Sequence, residues 1–146
     1  MSLKELLDEG RLEETATSRE EIADLLNTAS RGLSDAAVEQ VSIDGRFNFA
    51  YDAALVLATI PLRCAGYRTR GEGHHRTVFD ALPDAMGESH RRFSRYLQKC
   101  RRIRNLSTYS KSGIVSQNEV KHLIADTKAF DIAVRRWLQE NYPQYC

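Results

Sequence analysis

No stretch of this 146-residue chain approaches the roughly 18 consecutive apolar residues that a membrane-crossing helix needs. Its opening, Met1-Ser2-Leu3-Lys4-Glu5, is too acidic and too poor in apolar residues for a secretory leader. A cytoplasmic protein with no membrane partner is therefore expected. Cysteine is sparse: Cys64, Cys100 and Cys146 are odd in number, far apart and in no C-x-x-C arrangement, which argues against a disulfide framework or a zinc site. Cys64 and Cys100 fall in apolar helical stripes and read as small core residues, Cys146 as an exposed terminal thiol. Phosphate-binding glycine motifs of the G-x-G-x-x-G and G-x-x-x-x-G-K-[ST] types are missing, and so is a His pair at helical metal-site spacing. No cofactor and no metal are expected. Sustained period-two alternation is absent too, so neither strand nor repeat is predicted.

What is present is uneven in charge. The net charge of +1 conceals eleven Asp and Glu against four Lys and Arg between Met1 and Asp44, and one acidic against eight basic residues between Glu88 and Ser112. A basic strip of this kind attracts phosphate, or pairs with the acidic segment of its own or a second copy.

The basic stretch is also the most informative helix. At about 100° per residue, Phe93, Leu97, Cys100, Arg104 and Ser107 fall on one side, flanked by Tyr96 and Ile103. Arg104 thus sits within an apolar stripe, where a guanidinium must find anionic or carbonyl partners. Arg91, Arg95, Lys99 and Arg102 lie on the opposite, solvated side.

Elsewhere the chain reads as helix after helix. Leu3, Leu6 and Leu7 form a short amphipathic start that Gly10 ends, giving a docking arm over residues 1–17. Ser18-Arg19-Glu20-Glu21 is a capping box opening a helix to about Val38. Ser42 to Gly45 reads as a turn, and a helix with Phe47, Ala50, Tyr51, Ala54, Ala58 and Leu62 follows from Arg46 to Arg63, with Pro61 expected to kink it and Gly66 to stop the chain's helical course. Tyr67 to Gly73 reads as a loop, and His74 to Met86 as a shorter helix that Pro83 bends or ends. A second capping box, Ser116-Gln117-Asn118-Glu119, opens the last helix, with Val120, Leu123, Thr127, Phe130, Val134 and Trp137 in near 3-4 spacing and Pro143 closing it. The prediction is an all-α up-and-down bundle of four main helices with additional short helices, one domain over 1–146 with its core at about 18–140.

Two local features carry chemistry. Gly71-Glu72-Gly73-His74-His75 opens a helix behind two glycines; it is either an anion site assisted by His74 or His75, or a polar helix start. Arg104-Asn105-x-x-x-Tyr109 closes the basic helix. Here the chain resembles the HEPN superfamily of small helical bundles. The resemblance extends to Phe49-Ala50-Tyr51-Asp52-Ala53-Ala54, Gly66-Tyr67-Arg68, Gly73-His74-His75 and Arg102-Ile103-Arg104-Asn105, in that order, over roughly Ser18 to Trp137.

The resemblance implies a HEPN-like homodimer with the two Arg104 regions near a shared cleft, binding RNA or a nucleotide-like phosphate. It also implies a toxin-antitoxin, stress or defence setting with a cognate antitoxin or nucleotidyltransferase-like partner. Family ribonucleases that need no metal carry an arginine, often a following polar residue, and a histidine separated from the arginine by four to six residues. Arg104 and Asn105 match, but positions 109 to 111 are Tyr109, Ser110 and Lys111. Arg104, Asn105 and Tyr109 are the candidate catalytic residues; Arg102, Arg101, Lys99, His74 and His75 are the candidate phosphate- or RNA-binding ones. The missing imidazole predicts a weak ribonuclease at best, since a proton-transferring side chain contributes about 10²- to 10⁴-fold. The competing expectation is a noncatalytic protein-interaction module in which Arg104, Asn105 and Tyr109 only hold helix ends together.

Overall fold

The computed structural model of the chain describes the backbone of residues 1–109 and 113–146, and the side chains of 1–107 and 113–146. It is an all-α helical bundle. Among the described residues there are six α-helices, α1 (Leu3–Asp8), α2 (Arg19–Ala36), α3 (Ile43–Cys64), α4 (His74–Met86), α5 (Arg91–Tyr109) and α6 (Gln117–Asn141), with a short 3₁₀ turn between α4 and α5 at Glu88–His90 and another after α6 at Pro143–Tyr145. None of them, among the described residues, is long and apolar enough to cross a membrane.

The element at the centre is α3. A helix that is apolar on one stripe buries a narrow face, whereas α3 buries Phe47, Ala50, Tyr51, Ala53, Ala54, Leu57, Ala58, Ile60, Pro61, Leu62 and Cys64, which at about 100° per residue cover an arc of roughly 200°. It accordingly packs against α2, α4, α5 and α6. Its alanines let these neighbours come close, and the tightest approach is at Gly32 of α2. A Cβ placed there would lie 3.2 Å from the Ala53 Cβ and 3.3 Å from the Phe49 carbonyl oxygen. Helix α5 is tied to α4 by the Ser94 hydroxyl, which donates to the Phe79 carbonyl. Cys64 and Cys100 are buried and Cys146 is exposed, and burial pushes the first two thiols up to about 12 and about 11.

Caps explain most helix starts. Ser116 accepts from the Glu119 N–H and Glu119 accepts from the Ser116 N–H, a full capping box; Ser2 and Glu5 form another at α1. Ser18 makes only half of the expected box. Its hydroxyl accepts from the Glu21 N–H, but the Glu21 carboxylate turns to the Thr17 hydroxyl at 2.8 Å and to Arg63 at 3.4 Å, stronger partners than a terminal N–H. Ser42 to Gly45 is the capped first turn of α3 rather than a separate turn, because Ser42 accepts from the Gly45 N–H. Neither internal proline ends its helix: α3 continues past Pro61 to Cys64, and α4 past Pro83 to Met86.

The expectation of no strand is overturned. Strands β1 (Leu12–Glu14) and β2 (Tyr67–Thr69) form a two-stranded antiparallel ribbon, with Leu12 opposite Thr69 and Glu14 opposite Tyr67. Three residues are too short to show alternation, and the pairing partner is more than fifty residues away. At β2 the turn depends on Gly66, whose φ of 93° lets the chain leave α3 and reverse at once. The ribbon anchors the N-terminal arm, whose Leu6 and Leu12 are fully buried, so the core reaches beyond the expected 18–140. Arg11 completes the anchor, donating to the Thr77 hydroxyl at 3.1 Å and pairing with Asp80 at 2.6 Å.

Removing a mid-helix glycine ordinarily gains about 1 kcal/mol. At position 32 that gain is expected to vanish in Gly32→Ala, and Gly32→Val is expected to cost about 1–3 kcal/mol by overpacking the α2–α3 contact. Urea denaturation followed by circular dichroism measures both.

Candidate functional site

Arg104 lies on the last turns of α5, where the helix passes the first half of α3 and the first turn of α4. Its side chain is only 23% accessible. The guanidinium stands over the Tyr51 ring, 5.4 Å from the ring centroid to Cζ, and its Nη2 is 3.8 Å from the Asp52 carboxylate. The first is a cation–π contact; the second is an ion pair too long to be a hydrogen bond. The buried Nε has no hydrogen-bond partner among the described residues. Arg104 therefore meets the inward-facing requirement only in part.

Tyr51 connects this arginine to a histidine. Fully buried and edge-on to Phe79, it places its hydroxyl 2.9 Å from Nδ1 of His75. Burial holds the Tyr51 phenol well above its ordinary pKa, so its O–H remains a donor, which suits a His75 ring protonated at Nε2. His75 itself is shifted down, first by burial and then by the Arg104 charge, with Arg101 adding to it. Asp52 is shifted up by burial, against the pull of Arg104. Four side chains from three helices thus form one cluster.

Gly73 is what brings the histidine here. It caps α4 with φ 72°, a left-handed conformation that starts the helix directly after the ribbon. The two histidines then diverge, as neighbours on a helix must. His74 is exposed with Nδ1 2.7 Å from the Thr69 hydroxyl, while His75 turns inward to Tyr51.

The other expected site residues separate. Arg101, one turn before Arg104, is half-buried, is braced by Gln98 at 2.9 Å, and acts electrostatically on Tyr51 and His75. Lys99 and Arg102 are exposed on the outer side of α5. Asn105 is half-buried and makes no hydrogen bond through its side chain among the described residues. The side chain of Tyr109 lies outside the described residues. No ion pair among the described residues joins the acidic N-terminal segment to α5 within the chain; Glu13 pairs with Arg68 and Glu21 with Arg63 instead. Sequence reasoning overlooked Tyr51 and Asp52 as site residues. Their signal was a Tyr-Asp pair set directly beside the run of alanines in α3.

His75 titration gives a test of this geometry. Its folded pKa is expected below 6.5 in an NMR pH titration, and Arg104→Ala is expected to raise it by removing a like charge. The linked stability has a definite sign. A histidine held neutral stabilises fully above its unfolded pKa, and the fold loses stability as pH falls from 6.5 toward the folded value. His90, lowered by burial, adds in the same direction. Thermal midpoints that rise on acidification from pH 6.5 would contradict both assignments.

No family model, no curated protein and no solved structure matches this chain, so its functional reading rests on these side chains.

Proposed function

We propose that this is a HEPN-type helical protein that binds RNA or a nucleotide-like phosphate at the Arg104 cluster, as part of a toxin-antitoxin, stress or defence system. The observation that carries the reading is the condition of Arg104: a mostly covered guanidinium whose Nε is unpartnered among the described residues and whose nearest carboxylate stands at 3.8 Å. Leaving a buried donor unmet costs about 1–3 kcal/mol, and more for a charged one. A phosphate oxygen would relieve that cost through a charge-assisted hydrogen bond once the side chain turns to present the covered Nε.

In this reading Arg104 holds the phosphate, Arg101 adds charge, and Asn105 and Tyr109 orient or stack on the nucleotide. Lys99 and Arg102, exposed on the outer face, supply diffuse, salt-sensitive attraction. His75 offers an imidazole through Tyr51 where the family pattern would have one separated from the arginine by four to six residues. Cleavage of RNA is weak or absent. The assembly is a homodimer that brings two Arg104 regions to a shared cleft, with an antitoxin or nucleotidyltransferase-like protein as its partner.

Arg104→Ala is expected to weaken association with single-stranded RNA roughly tenfold, the worth of one charge-assisted contact. Arg95→Ala on the outer face is expected to change affinity far less. Fluorescence anisotropy at several salt concentrations separates the two effects. If the wild-type chain binds no RNA and Arg104→Ala only unfolds it, the cluster is structural and the chain is a noncatalytic interaction module.

A further inference from the structure

The charges around Arg104 bear on which phosphate it would take. Arg104 and Arg101 are the permanent cations of the cluster, and Asp52 is its carboxylate, 3.8 Å from Nη2 of Arg104. His75 is held toward its neutral form, and His74 is exposed beside Thr69. The charged groups on neighbouring elements add one further positive charge. Asp80 of α4 pairs with Arg11 at 2.6 Å and Arg76 at 3.8 Å, while Arg31 and Asp35 of α2, opposite in sign, share with Asp52 a cleft of about 220 Å³ between α2 and α3. Arg104, Arg101 and Asp52 by themselves leave one positive charge in excess.

Nε of Arg104 is covered by protein, so an anion approaches the accessible part of the guanidinium, and at Nη2 it meets Asp52, 3.8 Å away. The cost of removing an ion from water rises with the square of its charge, whereas its attraction to a fixed field rises only in proportion. A carboxylate that halves the field of the arginine pair therefore penalises a doubly charged ligand more than a singly charged one. An internal phosphodiester carries one negative charge; a terminal phosphomonoester, with a second pKa near 6, carries almost two at neutral pH.

We infer that Asp52 is a specificity-determining residue that makes the Arg104 site take internal phosphodiesters of a nucleic-acid chain and turn away doubly charged phosphate ends and free mononucleotides. The inference rests on the phosphate-binding reading above and names the ligand class of that same site.

Competition at about pH 8, where a phosphomonoester is doubly charged, tests it. Fluorescein-labelled octauridylate with hydroxyl ends is displaced either by the dinucleotide UpU, whose single phosphate is a diester, or by UMP, with uridine as the control for the base. Wild type is expected to favour UpU over UMP. Asp52→Asn is expected to strengthen UMP by roughly tenfold and UpU by less than about threefold, the difference that one like-charge contact makes near a protein surface. Asp52 is exposed over about half its side chain, so the variant is expected to fold; Asp52→Ser and a melting curve guard against misreading. If wild type takes UMP as well as UpU, or if Asp52→Asn strengthens both equally while Arg104→Ala still weakens octauridylate binding, Asp52 has no selective role. If Arg104→Ala leaves octauridylate binding intact, the phosphate-binding reading fails and this inference falls with it.

Discussion

The constraint on which the rest of the structure depends is that α3 buries more than half of its circumference, leaving only the side of Asn48, Asp52, Thr59 and Arg63 uncovered or half-covered. So wide an apolar face cannot be covered by one neighbour, and α2, α4, α5 and α6 all pack against it. The choice of alanine at positions 50, 53, 54 and 58 sets how near they come, and Gly32 removes the last obstacle on the α2 side. The ribbon and the N-terminal arm then close one end, with Leu6 and Leu12 added to the same cluster of buried side chains.

That arrangement has a consequence for chemistry. Tyr51 and Asp52 belong to the helix on which all packing converges, so their positions are set by the core and not by a loop. Tyr51 is fully buried and cannot move without disturbing Phe79 and His75. It supplies the flat face over which Arg104 stands. A cation–π contact is worth about 0.5–2 kcal/mol, which offsets only part of the cost of covering a guanidinium whose Nε lacks a partner among the described residues. The cluster is thus rigid in placement and incomplete in hydrogen bonding, a combination that suits preorganised recognition of an anion better than it suits stability.

Helix α5 shows how one element serves two environments. Leu97 and Cys100 are buried, and Arg95, Lys99 and Arg102 are exposed, as the helical period requires. Toward the α6 side its aromatic residues make a second set of contacts: Phe93 lies 4.7 Å from Phe130 between centroids, and Tyr96 stacks on His122 at 4.9 Å. These contacts hold the middle of α5 in place, and so determine where its final turns deliver Arg101 and Arg104.

By itself the sequence determined the all-α class, the four long helices, the burial of Cys64 and Cys100, the inward side of Arg104 and the outward side of Lys99 and Arg102. All of these follow from local rules, the 3.6-residue period and the hydrogen-bonding of Ser116 and Ser18 to the next turn. Only the tertiary structure decided which distant groups meet. The β1–β2 ribbon pairs two segments of three residues that have no periodic signature. Glu21 abandons its capping role for Thr17 and Arg63, partners that local pattern cannot weigh. His75 rather than His74 reaches Tyr51, and Asp52 rather than a nearer acidic residue stands at Arg104, since those meetings depend on how three helices cross, a quantity that no single helix encodes.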